Sequence, residues 1–462
     1  MTVTSVPSLR KWYFQIVNHI ERGLEDLLAL VAIESVSAQG RHLPEAADAV
    51  TALLEAEGFS VQRFAGQVAP ILLAQAGSGP RTLLIYNHYD VQPESPLDEW
   101  DSPPFTLTER ADESGVVRLY GRGSSDDKGE FAVRLAALRA LKEQHGGQLP
   151  LNIKWLLEGE EEIGSPSLEG FVIEHASELQ ADGCLWEFGS IDSSGRPVLI
   201  GGVKGCIGLE LRCSVADVDL HSANGAVVDN PLWRLASAVA SLRDATGRVL
   251  IPGFYDDVLP PSGADRAAIA NIPDESAALQ AAYGIKGFLE GATGQRFYER
   301  LCLEPVVNVN GFHGGYGDPG SKTVLPKDGF VKLDLRLVPN QRPAQIIALL
   351  KTHLERIGFG DIEVLETDAS LAPARSSLDS PFMQTAIAAA RDSFALEPVV
   401  QPSSGGSGPM GPFVEVLGMP VVCAGISNHK AFVHAPNENI VKAHFEQGFK
   451  FALEFFARVA AM

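Results

Sequence analysis

The sequence is poor in cysteine, and its few cysteines follow no pattern. The five cysteines among 462 residues are odd in number, scattered, and never form a CxxC pair. A disulfide framework or a zinc site built from thiolates is therefore not expected. A reducing compartment, the cytoplasm, is the location that this usage favours.

Long apolar runs and basic charge are lacking as well. No stretch approaches the roughly 18 apolar residues of a membrane span, and the N-terminal segment has no apolar signal core. Acidic residues outnumber basic ones by 58 to 37, which gives a formal net charge of −21. The GxxxxGK[ST] motif of nucleotide-binding enzymes is missing, and no GxGxxG motif follows the first predicted strand. We therefore expect no nucleic-acid partner, no membrane partner and no nucleotide-dependent reaction.

What is present indicates a large folded protein of more than one domain. The length and the 45% hydrophobic content suit two or three domains with substantial cores. The first third alternates helical and strand patterns, which predicts an α/β domain with a mostly parallel sheet covered by helices. In such sheets, ligands bind at the carboxyl ends of the strands.

The pattern changes after about residue 204. Its predicted order, strand, helix, two strands, helix, strand, is that of a ferredoxin-like α+β sandwich, interrupted by an irregular insert over residues 248–300. The α/β alternation then returns. We predict a split catalytic domain, residues 1–204 and 380–462, and an inserted lid or dimerisation domain, residues 205–379.

One predicted strand ends in an unusual cluster of acids, "LLEGEEEIGS". An apolar run here leads into four carboxylates, those of Glu158, Glu160, Glu161 and Glu162. Buried like charges repel each other and are costly unless a cation compensates them. The cluster therefore predicts a bound cation at this end of the sheet.

Other predicted strand ends supply matching ligands. His88 ends one strand, and Asp90, two positions on, can orient its imidazole. The other candidates are the aspartate pair Asp126 and Asp127 before a helix, Glu187 after a strand, and His434 on a late loop. Carboxylates and imidazoles together suit a divalent ion such as Zn²⁺, Mn²⁺ or Co²⁺.

The motifs that carry these residues resemble a known family. "NHYDVQPESPLDEWDSPPF", "YGRGSSDDKG", "EGEEEIGS", "HSANG", "SKTVLP", "RLVPN", "GGSGP" and "HAPNE" are similar to the successive motifs of family twenty of the metallopeptidases. They follow the family order from about residue 80 to residue 440. The first motifs are most similar to the branch of carnosinase-type dipeptidases.

The resemblance implies a role for each matching residue. It implies two divalent ions, most often Zn²⁺, with His88, Asp126 and Glu187 on one ion and Asp126, Glu162 and His434 on the other. Asp126 would bridge the ions, Asp90 would orient His88, and Glu161 would be the general base. In the inserted domain it implies that His221 stabilises the oxyanion in the neighbouring subunit of a homodimer, and that Arg336 and Thr323 bind substrate. Ser407, in "GGSGP", would bind substrate as well.

The resemblance leaves the substrate open. We expect cleavage of an amide bond in a dipeptide or short peptide. The alternative is a deacylase or carbamoylase that acts on N-acyl amino acids, since Arg336 would serve the substrate carboxylate in both. The segment "SLAPARSSLDSP" lacks a histidine associated with the carnosinase branch, so recognition of a free amino terminus stays undecided. A non-catalytic binding protein is disfavoured because none of the expected ligands is missing.

Overall fold

The computed structural model describes residues 6–367 and 370–462, with side chains from residue 16 onward. The chain forms two compact units. Unit 1 comprises Met1–Gly202, Ser376–Pro402 and Pro412–Met462, and unit 2 comprises Val203–Arg375 and Ser403–Gly411. Unit 2 thus includes a short stretch that the predicted limits place in the catalytic domain.

The regular elements are named in chain order. The helices are α1 Val6–Val31, α2 Leu43–Ala56, α3 Lys128–Gln144, α4 Leu168–Glu174, α5 Ala176–Leu179, α6 Pro231–Ala240, α7 Gly263–Ala270, α8 Ser276–Tyr283, α9 Gly294–Leu303, α10 Pro343–Arg356, α11 Pro381–Phe394, α12 Gly411–Glu415 and α13 Lys442–Ala460. The strands are β1 Ser60–Phe64, β2 Ile71–Ala76, β3 Thr82–His88, β4 Thr108–Ala111, β5 Val117–Tyr120, β6 Asn152–Glu158, β7 Gly183–Trp186, β8 Ser190–Ile191, β9 Pro197–Ile200, β10 Gly202–Val203, β11 Gly205–Ser214, β12 Leu220–His221, β13 Val306–Gly314, β14 Val324–Leu325, β15 Asp328–Leu337, β16 Glu363–Glu366, β17 Ala374–Arg375, β18 Val399–Gln401, β19 Val421–Cys423 and β20 Asn439–Val441.

Unit 1 is built on a sheet whose centre is parallel. The strand order is β1-β2-β6-β3-β7-β19-β9-β18, and β8 pairs with β9. Strands β6, β3, β7 and β19 run parallel to one another. Their sequences are nearly continuous apolar runs, because a sheet covered by helices buries both faces of its strands. The predicted α/β class with a mainly parallel sheet is confirmed.

The parallel arrangement brings polar strand ends to one edge of this sheet. In the register of β3 and β6, His88 lies opposite Glu158. The neighbouring strand β7 ends at Trp186, so Glu187 follows directly. Side chains that are far apart in sequence therefore meet at one rim.

Helix α3 packs against the sheet and leads away from its polar edge. Its residues from Lys128 to Leu141 are buried, because it packs against α1, α13 and β3. The buried Lys128 ammonium donates to the carbonyl oxygens of Leu30 at 2.9 Å and Ile33 at 2.7 Å, which fixes the end of α1. The helix start, and with it the preceding Asp126 and Asp127, is thus held in place.

Unit 2 has the predicted ferredoxin-like order. Its antiparallel sheet has the order β13-β15-β11-β16, and along the chain the elements run β11, α6, β13, β15, α10, β16. One apolar core joins the sheet to α6 and α10. The irregular insert contains α7, α8 and α9 with a small core of its own, formed by Ile269, Tyr298 and Cys302. The predicted inserted α+β domain is confirmed as a fold.

Two predicted elements differ from the structure. The last helix, predicted from "NENIVKAHF" (residues 437–445), begins only at Lys442, because the preceding Asn439–Val441 is strand β20, which pairs antiparallel with β5. The helix predicted over "SLEGFVIEHASEL" is divided into α4 and α5 at His175. In the described part of the chain, no helix is both long and apolar enough to traverse a bilayer.

Candidate metal centre

His88, at the end of β3, is buried among three acidic residues. Its Nε2 lies 3.0 Å from Asp126 Oδ1 and 3.6 Å from Glu187 Oε2. Its Nδ1 lies 3.3 Å from Asp90 Oδ1 and 3.1 Å from the Asp90 carbonyl oxygen. The imidazole is therefore held from one side by Asp90 and presents Nε2 to the other acids, which is the usual arrangement behind a metal-binding histidine.

Asp126 occupies the centre of the cluster. While its Oδ1 faces His88, its Oδ2 lies 3.1 Å from His434 Nε2. The same His434 nitrogen lies 3.1 Å from Glu162 Oε2. One carboxylate thus spans the space between two imidazoles, one oxygen to each.

The possible metal ligands in the described residues fall into two groups. One group is His88, Asp127 and Glu187, and the other is Asp126, Glu162 and His434; within each, one ligand atom per residue lies within 4.8 Å of the others. The second group is the set that the family resemblance implies. The first group contains Asp127 where that resemblance implies Asp126, although Asp126 also reaches His88. The peptide bond between Asp126 and Asp127 is cis.

The four glutamates of the acidic run divide into two pairs. Glu158 and Glu160 are fully buried. Glu158 accepts hydrogen bonds from Tyr86 Oη at 2.6 Å and Ser165 Oγ at 2.9 Å, and Glu160 accepts from the amide of Ala69 at 2.9 Å. The other pair, Glu161 and Glu162, forms a turn of 3₁₀ helix beside the two groups.

Asp90 orients this turn as well as His88. Its two carboxylate oxygens accept from the amides of Glu161 at 3.3 Å and Glu162 at 3.1 Å. The Glu162 carboxylate accepts from Gln92 Nε2 at 2.8 Å. The Glu161 carboxylate has no hydrogen bond or ion pair to another residue in the described ranges. Glu161 is thus fixed through its backbone while its acid group stays available.

Glu438 is a structural organiser that the sequence reasoning left unassigned. Its buried carboxylate accepts from the amides of Gly123 at 3.0 Å, Ser125 at 2.9 Å and Asp126 at 3.0 Å, and pairs with Arg122 at 2.7 Å. These bonds shape the loop between β5 and α3 that presents Asp126. Its place in the quoted motif "HAPNE", four residues after His434, is the signal that could have found it.

Crowding and burial shift the pKa values of the side chains in this cluster. Burial raises the pKa of Glu161, Glu162 and Glu187, and neighbouring carboxylates raise each further. Burial also raises the pKa of Asp127 to about 6. Hydrogen bonds to Asp126 and Glu162 raise the pKa of His434 to about 10. The neighbouring carboxylates that raise the pKa of Glu161, Glu162 and Glu187 show that anions are crowded together in this cluster.

The residues present fit a pair of divalent ions. The oxygens Glu187 Oε2 and Asp127 Oδ1 are buried and have no hydrogen-bond donor. No lysine or arginine in the described ranges forms an ion pair with the carboxylates of the two groups. Buried anions are stable only when compensated, and mixed carboxylate and imidazole donors suit borderline divalent metals. The donor set therefore matches two cations bound side by side.

The expected substrate residues lie in unit 2. Arg336 on β15 donates from Nε to Asp334 Oδ2 at 3.0 Å and from Nη1 to Ser407 Oγ at 2.7 Å, so the structure brings Arg336 and Ser407 together. His221 and Thr323 are exposed: His221 ends strand β12 and pairs with Val324, and Thr323 directly precedes strand β14. His221 Nδ1 accepts from the amide of Ala223 at 3.1 Å.

Comparison with known proteins identifies the family. The sequence profile of peptidase family M20/M25/M40 matches residues 84–458. The chain is 31% identical to the Beta-Ala-His dipeptidase of Mus musculus over 77% of this chain and 68% of the relative. It is 31% identical to the Cys-Gly metallodipeptidase dug1 of Schizosaccharomyces pombe over 76% of each.

A solved structure shows the same fold along nearly the whole chain. It is an M20 family metallo-carboxypeptidase, Sso-CP2, from Sulfolobus solfataricus, with a TM-score of 0.87 and 37% identity, covering 95% of this chain and 99% of that one. The predicted family and its dipeptidase-like branch are confirmed. This chain belongs to peptidase family M20/M25/M40 and is a metal-dependent hydrolase of amide bonds with a site for two metal ions.

Proposed function

We propose that this peptidase cleaves the peptide bond of dipeptides or short peptides, with water activated at the dinuclear centre and Glu161 as general base. The observation that carries the proposal is the position of Asp126 between His88 and His434, with the unpartnered Glu161 beside it. The names of the relatives, Beta-Ala-His dipeptidase and Cys-Gly metallodipeptidase, support the substrate class.

The proposed ligands follow the two groups. Asp126, Glu162 and His434 would hold one ion, and His88, Glu187 and an aspartate of the pair Asp126 and Asp127 would hold the other. We propose Zn²⁺, with Mn²⁺ or Co²⁺ as possible substitutes, because the donors are nitrogen and oxygen. When bound, such ions supply Lewis acidity that polarises the scissile carbonyl and acidifies water.

The residues of the chain carry out the proton transfers. Glu161 would accept a proton from the attacking water and deliver it to the leaving amine, which a carboxylate without competing hydrogen bonds can do. Asp90 would keep both His88 and the backbone of Glu161 in position, since it contacts both.

We assign the substrate contacts to residues of unit 2. Arg336 would bind the terminal carboxylate together with Ser407, because a guanidinium can form two parallel bonds to a carboxylate. Thr323 would add a hydroxyl contact. His221 would stabilise the oxyanion from a second copy of the chain. These roles agree with either amide substrate class.

A panel of substrates tests the proposal. Free dipeptides and N-acetylated amino acids are compared as substrates with added Zn²⁺, Mn²⁺ or Co²⁺. Faster cleavage of the free dipeptides supports a dipeptidase. Cleavage of the N-acyl substrates alone would move the assignment to the deacylase or carbamoylase alternative. Turnover of neither class would overturn the proposal.

We also propose a cytoplasmic homodimer that forms through the inserted domain. Cys184, Cys213, Cys302 and Cys423 are buried thiols without a disulfide, which suits a reducing compartment. In unit 2, β13 lies at the edge of its sheet and carries the exposed apolar side chains of Val309 and Phe312. Such an edge is a template for pairing with another strand.

A further inference from the structure

A cavity of about 580 Å³ lies within unit 2, next to Arg336. Arg336, Gly405, and Arg300 and Leu301 of α9 are among the residues that line it. Its volume falls in the range of small-molecule sites, roughly 300–1,000 Å³. The metal centre uses none of these residues.

The walls of the cavity carry an excess of positive charge. The charged side chains that line it are those of Lys204, Arg248, Arg296, Arg300 and Arg336, with Glu290 and Glu304 as the carboxylates. Both carboxylates are already engaged, Glu290 by Arg300 and Glu304 by Arg296. The remaining cations therefore determine which ligands the cavity attracts.

Two of these cations, Lys204 and Arg248, form no ion pair within 4 Å of a carboxylate among the described residues. Lys204 is 5% exposed, and its ammonium donates only to the carbonyl oxygens of Glu304 at 2.6 Å and Arg300 at 3.4 Å. Burial lowers the pKa of Lys204 to about 8, so it stays mostly protonated at neutral pH. Arg248 is exposed, and its guanidinium lies 4.4 Å from the centre of the Tyr255 ring.

The rest of the lining is apolar. Phe288 and Phe297 contribute aromatic surface, and Leu289 and Leu301 are 41% and 43% exposed. Such surfaces can bury the methylene groups of a ligand's side chain, while the cations contact the charged group at the end of that side chain. A side chain that combines a methylene body with a carboxylate matches both features.

We propose that this cavity receives the side chain of the substrate's C-terminal residue, and that Arg248 and Lys204 make the enzyme prefer an acidic side chain, glutamate over glutamine, at that position. The inference rests on the proposed binding of the terminal carboxylate by Arg336. Because the carboxylate and the side chain branch from the same Cα atom, a carboxylate at Arg336 brings the side chain to the cavity. The space exceeds one side chain, so charge rather than size selects.

The test compares substrates that differ in one charge. The pairs are Ala-Glu against Ala-Gln and N-acetyl-Glu against N-acetyl-Gln, assayed on the metal-loaded full chain. We expect kcat/KM to favour each glutamate substrate by up to about fivefold, since a partly exposed ion pair contributes up to roughly 1 kcal/mol. Arg248→Leu should reduce this ratio to about twofold or less, through KM with kcat nearly unchanged.

Arg266→Leu provides the matched control. Arg266 is exposed in the same unit and does not line the cavity, so this variant loses the same charge but should keep the wild-type ratio. Equal kcat/KM for glutamate and glutamine substrates, or a ratio that Arg248→Leu leaves unchanged, would overturn the inference. Turnover of Ala-Glu and Ala-Gln would still uphold the proposed function. Turnover of the acyl pair alone would contradict the dipeptidase proposal and still measure the side-chain preference. Loss of turnover on all four substrates would overturn both.

Discussion

Asp90 shows how one buried carboxylate can organise several functional groups. It contacts His88 through its side chain and its carbonyl oxygen, and it accepts from the amides of Glu161 and Glu162. A proposed ligand and the proposed base are therefore oriented by the same residue. The base itself remains without a partner, so its role can be separated experimentally from metal binding.

Replacing Glu161 by glutamine should abolish most turnover and leave the metals in place. A general base contributes about 10²- to 10⁴-fold, so kcat of Glu161→Gln should fall by that range. The matched variant Glu162→Gln should instead lower metal content, because Glu162 lies with Asp126 and His434. Steady-state kinetics and metal analysis of both variants provide the measurement. Full turnover by Glu161→Gln would refute the assigned mechanism.

His444 should make the fold sensitive to mild acid. Burial first, and then the charges of Arg118 and His429, lower its pKa to about 4, against an ordinary value of 6.5. Between these values the unfolded chain binds a proton that the native state does not, so the free energy of unfolding falls as the pH drops from 6.5 to 4. The full effect is up to about 3 kcal/mol.

The measurement is chemical unfolding of the metal-free protein at several pH values. His444→Gln should lose less stability than the wild type between pH 6.5 and 4, whereas His42→Asn, which removes an exposed histidine, should follow the wild type. Parallel curves for His444→Gln and the wild type would contradict the assignment.

At the residue scale, the sequence was a good guide to which side chains lie close together. It was a poorer guide to the residues that surround them. His88, Asp126, Glu162, Glu187 and His434 were all expected together, because each belongs to a motif with a fixed place in the resemblance. The burial of Glu158 and Glu160 could not be predicted. Their partners, Tyr86, Ser165 and the amide of Ala69, are reached only through the register of the folded strands.

At the scale of elements, helix α3 connects the strands that carry the ligands. Arg134 is buried and donates to the carbonyl oxygens of Tyr86 at 3.1 Å, Trp186 at 2.9 Å and Ala424 at 3.3 Å, and to Asn87 Oδ1 at 3.0 Å. These acceptors lie in or beside β3, β7 and β19, next to His88 and Glu187. One guanidinium thus fixes the spacing of adjacent strand ends.

Removing this guanidinium should destabilise unit 1 and loosen the metal centre. Arg134→Met removes four buried hydrogen bonds, which should lower the free energy of unfolding by about 3 kcal/mol or more. Arg134→Lys keeps the charge without the planar fork and should recover only part of this loss. Thermal unfolding of the metal-free variants is the measurement. A change in Arg134→Met within about 0.5 kcal/mol would show that the network contributes little.

Elements were predictable where their pattern was long and regular. The ferredoxin-like order of unit 2 was predicted correctly, because its main elements have long, regular patterns. In strands β11 and β15 apolar residues alternate with other residues over ten positions, and in helix α10 they recur with helical spacing over fourteen. Strand β20 was missed because it has three residues and exists through its pairing with β5. Short strands of this kind depend on tertiary contacts that local sequence does not encode.

At the scale of the whole molecule, the proposed homodimer predicts a specific dependence on β13. The wild-type chain should have the mass of a dimer by light scattering. The variants Val309→Lys and Phe312→Lys should instead have the mass of a monomer, because each substitution places a charge on the exposed edge strand. Val116→Lys, at an exposed apolar position in unit 1, is the control and should remain dimeric. A monomeric wild type, or variants that stay dimeric, would contradict the proposed interface.

The central claim is that clustered carboxylates and imidazoles at the rim of one sheet bind a pair of divalent ions and that hydrolysis depends on both. Metal analysis of the purified chain, coupled to peptidase assays before and after chelation, measures this most directly. We predict about two ions per chain, as in sites with paired metals, and activity that disappears on chelation and returns on adding Zn²⁺, Mn²⁺ or Co²⁺. Full activity in a chain that binds no metal, or only one ion, would contradict the account.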